Sequence, residues 1–485
     1  MVRRIVHKNL ILVIVAVAQF MVVLDSSIVN VALPSIYHSL KFSSTSSLQW
    51  VVTAYLLAFG GFLLLGGRAA DLYGRKKVFV AAATSFAVMS FLCGIAQNSL
   101  MIEIFRAMQG ISAAFMSPAA LSIVLTTFAE GKERAKALSV WGAVAAGGAA
   151  VGVLLGGVLT EYFGWRWNFF VNVPVAIGVI IAARLYVPES KADLDHNKLD
   201  LPGAVLVTTG LMILVFTFTK APSYGWTSIQ TLRLFGLAGL LLAAFVYNES
   251  KSKHALMPLR IFKVRSVLGA NLAQLPITAS LFSMFFFVTL YVQNILGFSP
   301  VRSGLSFLPV PITIGVMSVI MQKVIGKIGY KKPIVVGPLF IATGLFLLAH
   351  ISVSGTYLAN VLPGLVILAA GLGMTFISIT IAATTGVPAH ESGLASGLLN
   401  TSQQIGGSLG LAILSGISAS TAASYLASHA DTARQTLTVA SAQVQGFQAA
   451  LYVGMGFALT ASIVGFVLIK EKRGEPIDTT VTASA

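Results

Sequence analysis

Fourteen apolar runs of roughly twenty residues follow one another along this chain, each long enough to cross the ~30 Å hydrocarbon core of a bilayer as a helix. Nothing else in the sequence limits the fold so strongly. A bilayer interior offers no water to backbone N–H and C=O groups, so a spanning run must satisfy them within itself, as a helix does. The runs lie at about 10–37, 48–68, 78–97, 101–126, 137–160, 168–187, 202–219, 231–247, 266–294, 304–325, 333–351, 359–385, 393–418 and 447–469. Only 10% of the residues are charged, where a soluble domain carries about a quarter. A water-wetted globule is excluded, and an all-α polytopic membrane protein is expected. The 45 glycines fit, because glycine lets membrane helices approach closely. From Met1 to about Ser26 the chain has a basic start and an apolar run, like a signal peptide. Further runs follow at once, so this one is expected to stay as the first span.

The formal net charge of +16 raises nucleic acid as a partner, but the positions of the charges argue for lipid instead. Lys41, Arg166, Lys220, Arg233, Arg302 and Arg434 fall on one side of the predicted bilayer, and Arg106 lies inside a run. The other twenty-five Lys and Arg fall on the opposite side. The positive-inside rule then places both termini of a cell-membrane protein in the cytoplasm. Cys93 is alone, so no disulfide within the chain is possible. The seven histidines are scattered and form no His-Glu-x-x-His, so no metal site is expected. No Gly-x-x-x-x-Gly-Lys-Ser/Thr run is present to cradle a nucleotide phosphate. ATP is therefore not expected to drive the protein, no cofactor is expected, and nothing favours an enzyme.

Two basic turns look alike. Asp71-Leu-Tyr-Gly74-Arg75-Lys76-Lys77 follows the second run, and Gly326-Lys327-Ile-Gly329-Tyr330-Lys331-Lys332 follows the tenth. Their correspondence predicts a duplicated chain: a six-helix bundle at 1–190, an inserted helix pair at 191–260 and a second six-helix bundle at 261–470. Residues 471–485 read as a disordered cytoplasmic tail, and the Ala/Ser/Thr/Gln-rich stretch 420–446 as an outer loop.

Five motifs now resemble the major facilitator superfamily, in its fourteen-helix drug:proton antiporter branch, over nearly the whole chain. They are Leu24-Asp25-Ser26-Ser27-Ile28-Val29-Asn30-Val31-Ala32-Leu33-Pro34, the turn from Gly67 to Lys77, and Arg106-Ala-Met-Gln109-Gly110. The others are Trp165-Arg166-Trp167-Asn168-Phe169-Phe170-Val171-Asn172-Val173-Pro174, and Gly393 to Gly410 around Gln403-Gln404-Ile405-Gly406-Gly407. The resemblance implies the major facilitator fold and efflux of small amphipathic compounds, drugs and antibiotics among them, by alternating access in exchange for protons. The partners it implies are the solute, protons and lipid, and a monomer is expected. One position departs from the pattern: Val153 stands where proline is usual before the final glycines of the fifth helix. Gly148, Gly152 and Gly156, with Gly157 beside them, keep one helical face smooth for close packing. The missing proline kink leaves a proton symporter open beside the antiporter. A dedicated exporter of one metabolite is a further reading; a receptor or scaffold would not need charge inside the membrane.

Asp25 and Glu103 are the acids well inside the predicted runs, and Arg106 the one base. Charge there costs about 2.5–3.5 kcal/mol on the insertion scale, which marks these three as proton-coupling candidates. Glu103 and Arg106 are three apart and share a face. If the first and fourth helices flank a central cavity, as the resemblance implies, Asp25 comes within reach of Arg106. The turn after the second helix is expected to gate, with Gly67 and Gly74 allowing close passage and turning. The resemblance places Asp71 at the start of the thirteenth helix, near Ser392 and Gly393, and Arg75 is expected to pair with Glu130 or Glu133. Asn30, Gln109, Gln274, Phe286, Gln293, Asn400, Gln403 and Gln404 are the substrate-contact candidates, amide groups and one aromatic in apolar surroundings. Most aromatics around Phe286 are expected to face lipid or pack.

Overall fold

The computed structural model describes residues 8–129, 132–191, 199–252, 255–387, 391–429 and 435–469. The Glu130 candidate and the 471–485 tail lie outside them. Fourteen long helices run in chain order. The first bundle holds α1 Lys8–Ser39, α2 Trp50–Tyr73, α3 Arg75–Gly94, α4 Ser99–Thr127, α5 Lys132–Tyr162 and α6 Asn172–Tyr186. Then come α7 Leu201–Tyr224 and α8 Ile229–Lys251. The second bundle holds α9 Arg265–Leu290, α10 Pro309–Ile328, α11 Lys331–Leu348, α12 Leu362–Thr384, α13 Ser392–Ser428 and α14 Thr436–Leu468. Thirteen of the fourteen, with short flanking turns where needed, are long and apolar enough to cross a membrane; in α5 the apolar part is Gly147–Tyr162. Among the described residues there is no strand.

Three segments differ from the expectation. The stretch 420–446 is mostly helical: α13 runs on to Ser428 and α14 starts at Thr436. Alanine is the best helix former, and the Ser, Thr and Gln among it need no apolar surroundings, so the helices outlast the hydropathy signal. The turn after α2 is one residue, Gly74, with φ 110°. Asp71 therefore sits in the last turn of α2, and Arg75, Lys76 and Lys77 open α3. Its counterpart Gly329 has φ 78° and, like Gly74, donates its N–H to the carbonyl four residues back. Only glycine adopts such backbone without strain, so both repeats turn by the same device. Third, α8 extends past its apolar run and takes Glu249 with it.

Within the first bundle α2 packs on α4, α1 on α5 and α3 on α4 and α6; in the second, α11 packs on α12 and α14, and α9 on α13 and α14. Gly148, Gly152 and Gly156 explain the α1–α5 contact. A Cβ on Gly152 would overlap the Ser27 hydroxyl, and one on Gly156 would lie 2.6 Å from the Ile28 carbonyl oxygen. Gly157 turns the other way, to Pro300 and Val301 of the short helix Pro300–Phe307 ahead of α10. Gly67 is less constrained, with only Pro118 Cβ at an ordinary 3.6 Å. The tight approach on α2 is at Gly66, which lies against the Ala114 carbonyl.

The inserted pair is not peripheral throughout. α7 packs against both α2 and α13, joined by Leu57, Leu211, Val215 and Ala412, and by Gln49 donating to Thr219 Oγ1 at 2.7 Å. α8 lies outside it; its most apolar window is 17% buried, against 83% in α2, so α8 faces lipid and α2 lines the interior.

Candidate functional site

One acid–base pair is buried at the heart of the first bundle. Arg106, two turns into α4, is 1% exposed, and Asp25 on α1 is not exposed at all. Arg106 Nη1 donates to Asp25 Oδ2 at 2.5 Å and to Gln109 Oε1 at 2.8 Å, and Nε donates to the Val51 carbonyl of α2 at 2.9 Å. Asp25 Oδ1 accepts from Gln109 Nε2 and from Asn172 Nδ2 on α6, each at 2.9 Å. The Asn172 amide also donates to Ser90 Oγ of α3, which donates on to the Phe169 carbonyl. The guanidinium lies over the Tyr55 ring at 4.2 Å. Five helices thus hold one charge pair.

Two opposing influences act on the carboxyl. Full burial disfavours its charge, whereas three donors, the adjacent guanidinium among them, favour it. Removing one partner from such a pair leaves a stranded charge and costs about 3–5 kcal/mol.

Asp25, Arg106 and Gln109 therefore meet. Glu103 does not join them: it is half-buried one turn into α4, and the opposite charge acting on it is Lys220 on α7. Three residues apart on one helix is a shared side, but Arg106 turns inward to α1 and α2 while Glu103 stays at the rim. Tyr55, Ser90 and Asn172 were not singled out from sequence. Asn172 sat in a recognised motif, and Tyr55 carried no local signal.

At the turn end, Asp71 Oδ1 accepts from Arg75 Nη2 at 3.0 Å and from Ser122 at 3.4 Å. The α13 start is not its partner, and Gly393 is exposed, with nothing within 4 Å of where its Cβ would be. Arg75 is four residues from Asp71 and satisfies it locally; Glu133 instead pairs with Lys8 at 2.8 Å. The two bundles pack along α2 and α13, where Gly60 lies against Gln404 and Leu64 against Gly397, and meet again at the opposite end. There Gln293 Nε2 donates to the Val31 carbonyl at 2.8 Å, Val301 N–H donates to Glu161 at 2.8 Å, and Gly304 lies against the Val153 carbonyl.

The remaining contact candidates scatter. Asn30 is spent on its own helix, donating to Ser26 and Ser27 carbonyls. Phe286 is fully buried edge-to-face on Phe287, and Met284 and Tyr291 are buried with it, so these side chains pack inside and do not face lipid. Gln274 Oε1 and Gln404 Oε1 are buried without a partner, with Gln404 set against Gly60 of α2. Gln403 is half-buried and Asn400 exposed.

Two helical bundles of common architecture, one of them enclosing a charge pair, define a membrane transporter of the two-bundle class. The sequence pattern of the Major Facilitator Superfamily matches residues 15–411, and the chain belongs to that superfamily. It is 39% identical over 480 residues to a puromycin resistance protein of Streptomyces alboniger, covering 98% of this chain and 93% of the relative. It is 38% identical over 426 residues to a cephamycin export protein of Amycolatopsis lactamdurans, covering 86% and 87%. A tetracenomycin C resistance and export protein of Streptomyces glaucescens is 34% identical over 410 residues, 84% and 76% of the two chains. Among solved structures, a bacterial homologue of the human lysosomal transporter Spinster, inward-facing and unoccupied, superposes with TM-score 0.66 at 15% identity over 99% of this chain and 98% of that one.

Proposed function

We propose that this protein exports small amphipathic compounds, antibiotics among them, from the cytoplasm across the cell membrane in exchange for protons, with no cofactor. The Asp25–Arg106 pair carries the reading. A membrane protein does not retain a fully buried ion pair at several kcal/mol of desolvation for packing alone when apolar residues would serve. The names of the relatives, resistance and export proteins, supply the direction and the class of solute.

The bundles rock about a central site. With the basic turns on the cytoplasmic side, the contacts among Val31, Gln293, Glu161 and Val301 are the outer gate, closed here. Asp71 and the α13 start are the inner gate, apart here. In this state the Asp25 carboxyl is bound to Arg106. Opening outward brings water to the carboxyl, loosens the pair and loads a proton; return inward releases it to the cytoplasm and readies the site for solute. Gly152 and Gly156 keep α5 close to α1, so antiport does not require the proline that Val153 replaces. One chain contains both bundles, so a monomer suffices.

A second reading has support: two of the relatives are named for export of a single natural product, which favours a narrow solute range. Susceptibility of a host expressing the protein to a panel of unrelated antibiotics separates broad from narrow. For the main reading, Asp25→Asn in sealed vesicles is expected to abolish efflux driven by an imposed pH gradient while leaving the protein in the membrane. Uphill efflux at the wild-type rate in that variant would remove Asp25 from the mechanism.

A further inference from the structure

The inserted hairpin carries a pair of buried acids, far from Asp25 in sequence and unused by the mechanism above. Asp200 caps the start of α7 and Glu249 lies in the last turn of α8; they are 5% and 4% exposed. Three of their four carboxyl oxygens meet donors. Gly203 N–H donates to Asp200 Oδ1 at 2.9 Å, Asn248 Nδ2 to Asp200 Oδ2 at 2.8 Å, and Met257 N–H to Glu249 Oε2 at 2.7 Å. The fourth, Glu249 Oε1, is buried and meets no donor. Its neighbour is the Asp200 carboxyl, itself an acceptor. Both oxygens converge over Gly203, where a Cβ would lie 2.7 Å from Asp200 Oδ2 and 2.8 Å from Glu249 Oε1.

Two carboxylates buried against one point disfavour each other's charge unless a cation or a proton lies between them. Among the described residues, the groups packed around them supply no cation. The apolar cluster of Leu65, Ala204 and Leu256, with Phe62 of α2 and Phe115 of α4, packs alongside. Lys251 on α8 is exposed. Lys198, Lys253 and His254 lie outside the described residues. A proton on Glu249 Oε1 turns the contact between two acceptors into a hydrogen bond and completes the set of four.

We propose that Asp200 and Glu249 form a proton-binding site, in which one proton on Glu249 is donated to Asp200 and fastens the inserted hairpin to the tether of the second bundle. Met257, held by Glu249, begins that tether. Its Ile261 packs with Val267 of α9 and with Ala395 and Leu398 of α13, and Arg260 pairs with Glu391 at 2.5 Å. Losing the proton to water leaves two facing anions, which weakens the clamp between insert and bundle. The site does not depend on the role given to Asp25.

Infrared spectroscopy of the purified full-length protein, titrated with pH, tests this. The wild type is expected to show a protonated-carboxyl C=O band that fades as pH rises, that Glu249→Gln removes and that Asp25→Asn leaves in place. Asp200→Asn, which deletes the second anion, moves the fading of the band to lower pH. The folded state binds the proton, so wild-type melting temperature falls as pH rises through this titration. Glu249→Gln keeps a donor toward Asp200 and is expected to flatten that dependence. A spectrum unchanged by Glu249→Gln, or a melting profile with the wild-type pH dependence in that variant, overturns the proposal. Should Glu249→Gln fail to fold, an Asp200→Asn band with wild-type pH dependence overturns it equally.

Discussion

The two bundles share a topology but not an interior. In the first, a carboxylate and a guanidinium are buried together, and both carboxylate oxygens and the arginine Nε and Nη1 are engaged, across α1, α2, α4 and α6. In the second, among the described residues, no ionised side chain is buried in α9–α14. Its buried polar contacts are neutral and few: Ser402 to Asn271 at 2.8 Å, Ser280 to the Gly454 carbonyl at 2.9 Å, Ser462 to the Val335 carbonyl at 2.7 Å. Gln274 and Thr401 keep buried oxygens with no partner. A charged network tolerates one geometry, because a misplaced partner strands a charge in low dielectric. Hydroxyls and amides tolerate several. The first bundle is therefore suited to a fixed ion-coupling task, and the second to accommodating solutes of differing shape.

Three substitutions sharpen or break that contrast. Arg106→Ala should have the largest effect, stranding Asp25 among its remaining donors at a cost of about 3–5 kcal/mol. Expected are a steep fall in melting temperature in detergent and no transport; wild-type melting would mean the pair does not organise the first bundle. Asn271→Ala in the second bundle removes one neutral interhelical bond, worth about 0.6 kcal/mol on average in membranes. A small melting shift is expected, with altered ranking of exported compounds and an unchanged pH dependence of efflux. An altered pH dependence would bring the second bundle into proton coupling and end the division of labour. Asp71→Ala should have the smallest effect on stability, since its ion pair is partly exposed and a surface i,i+4 pair is worth about 0.3–0.5 kcal/mol. Its transport rate should nevertheless fall, as the carboxylate is needed at the α13 start when the inner end closes. A transport rate equal to wild type removes the latch.

Much of the fold was legible because hydropathy is local: each residue's affinity for lipid adds along a run, and the run length matches the bilayer. The Gly74 and Gly329 turns were legible for a similar reason, since a glycine between helical runs followed by lysines signals a chain reversal. Residues 420–446 misled because polar helices leave no hydropathy trace. Within the site, Asp25 and Arg106 stood out by their charge alone. Their partners did not, as Tyr55, Ser90 and Asn172 are ordinary residues whose importance depends on which way their helices are rotated. Glu249 was hidden for another reason: it lies just past an apolar run, where an acid is usually wetted, and only the packing of α8 against the tether buries it.

The sequence by itself determined the number of spans, the duplicated plan and the presence of charge where charge is costly, because these follow from composition read along one dimension. Tertiary structure decided which charge meets which. Arg106 chose Asp25 over the nearer Glu103, Asp71 took Arg75, and Asp200 met Glu249 across a hairpin. Those choices turn on helix rotation and separations of a few ångströms, and Coulomb and hydrogen-bond energies inside a bilayer are decided at that scale.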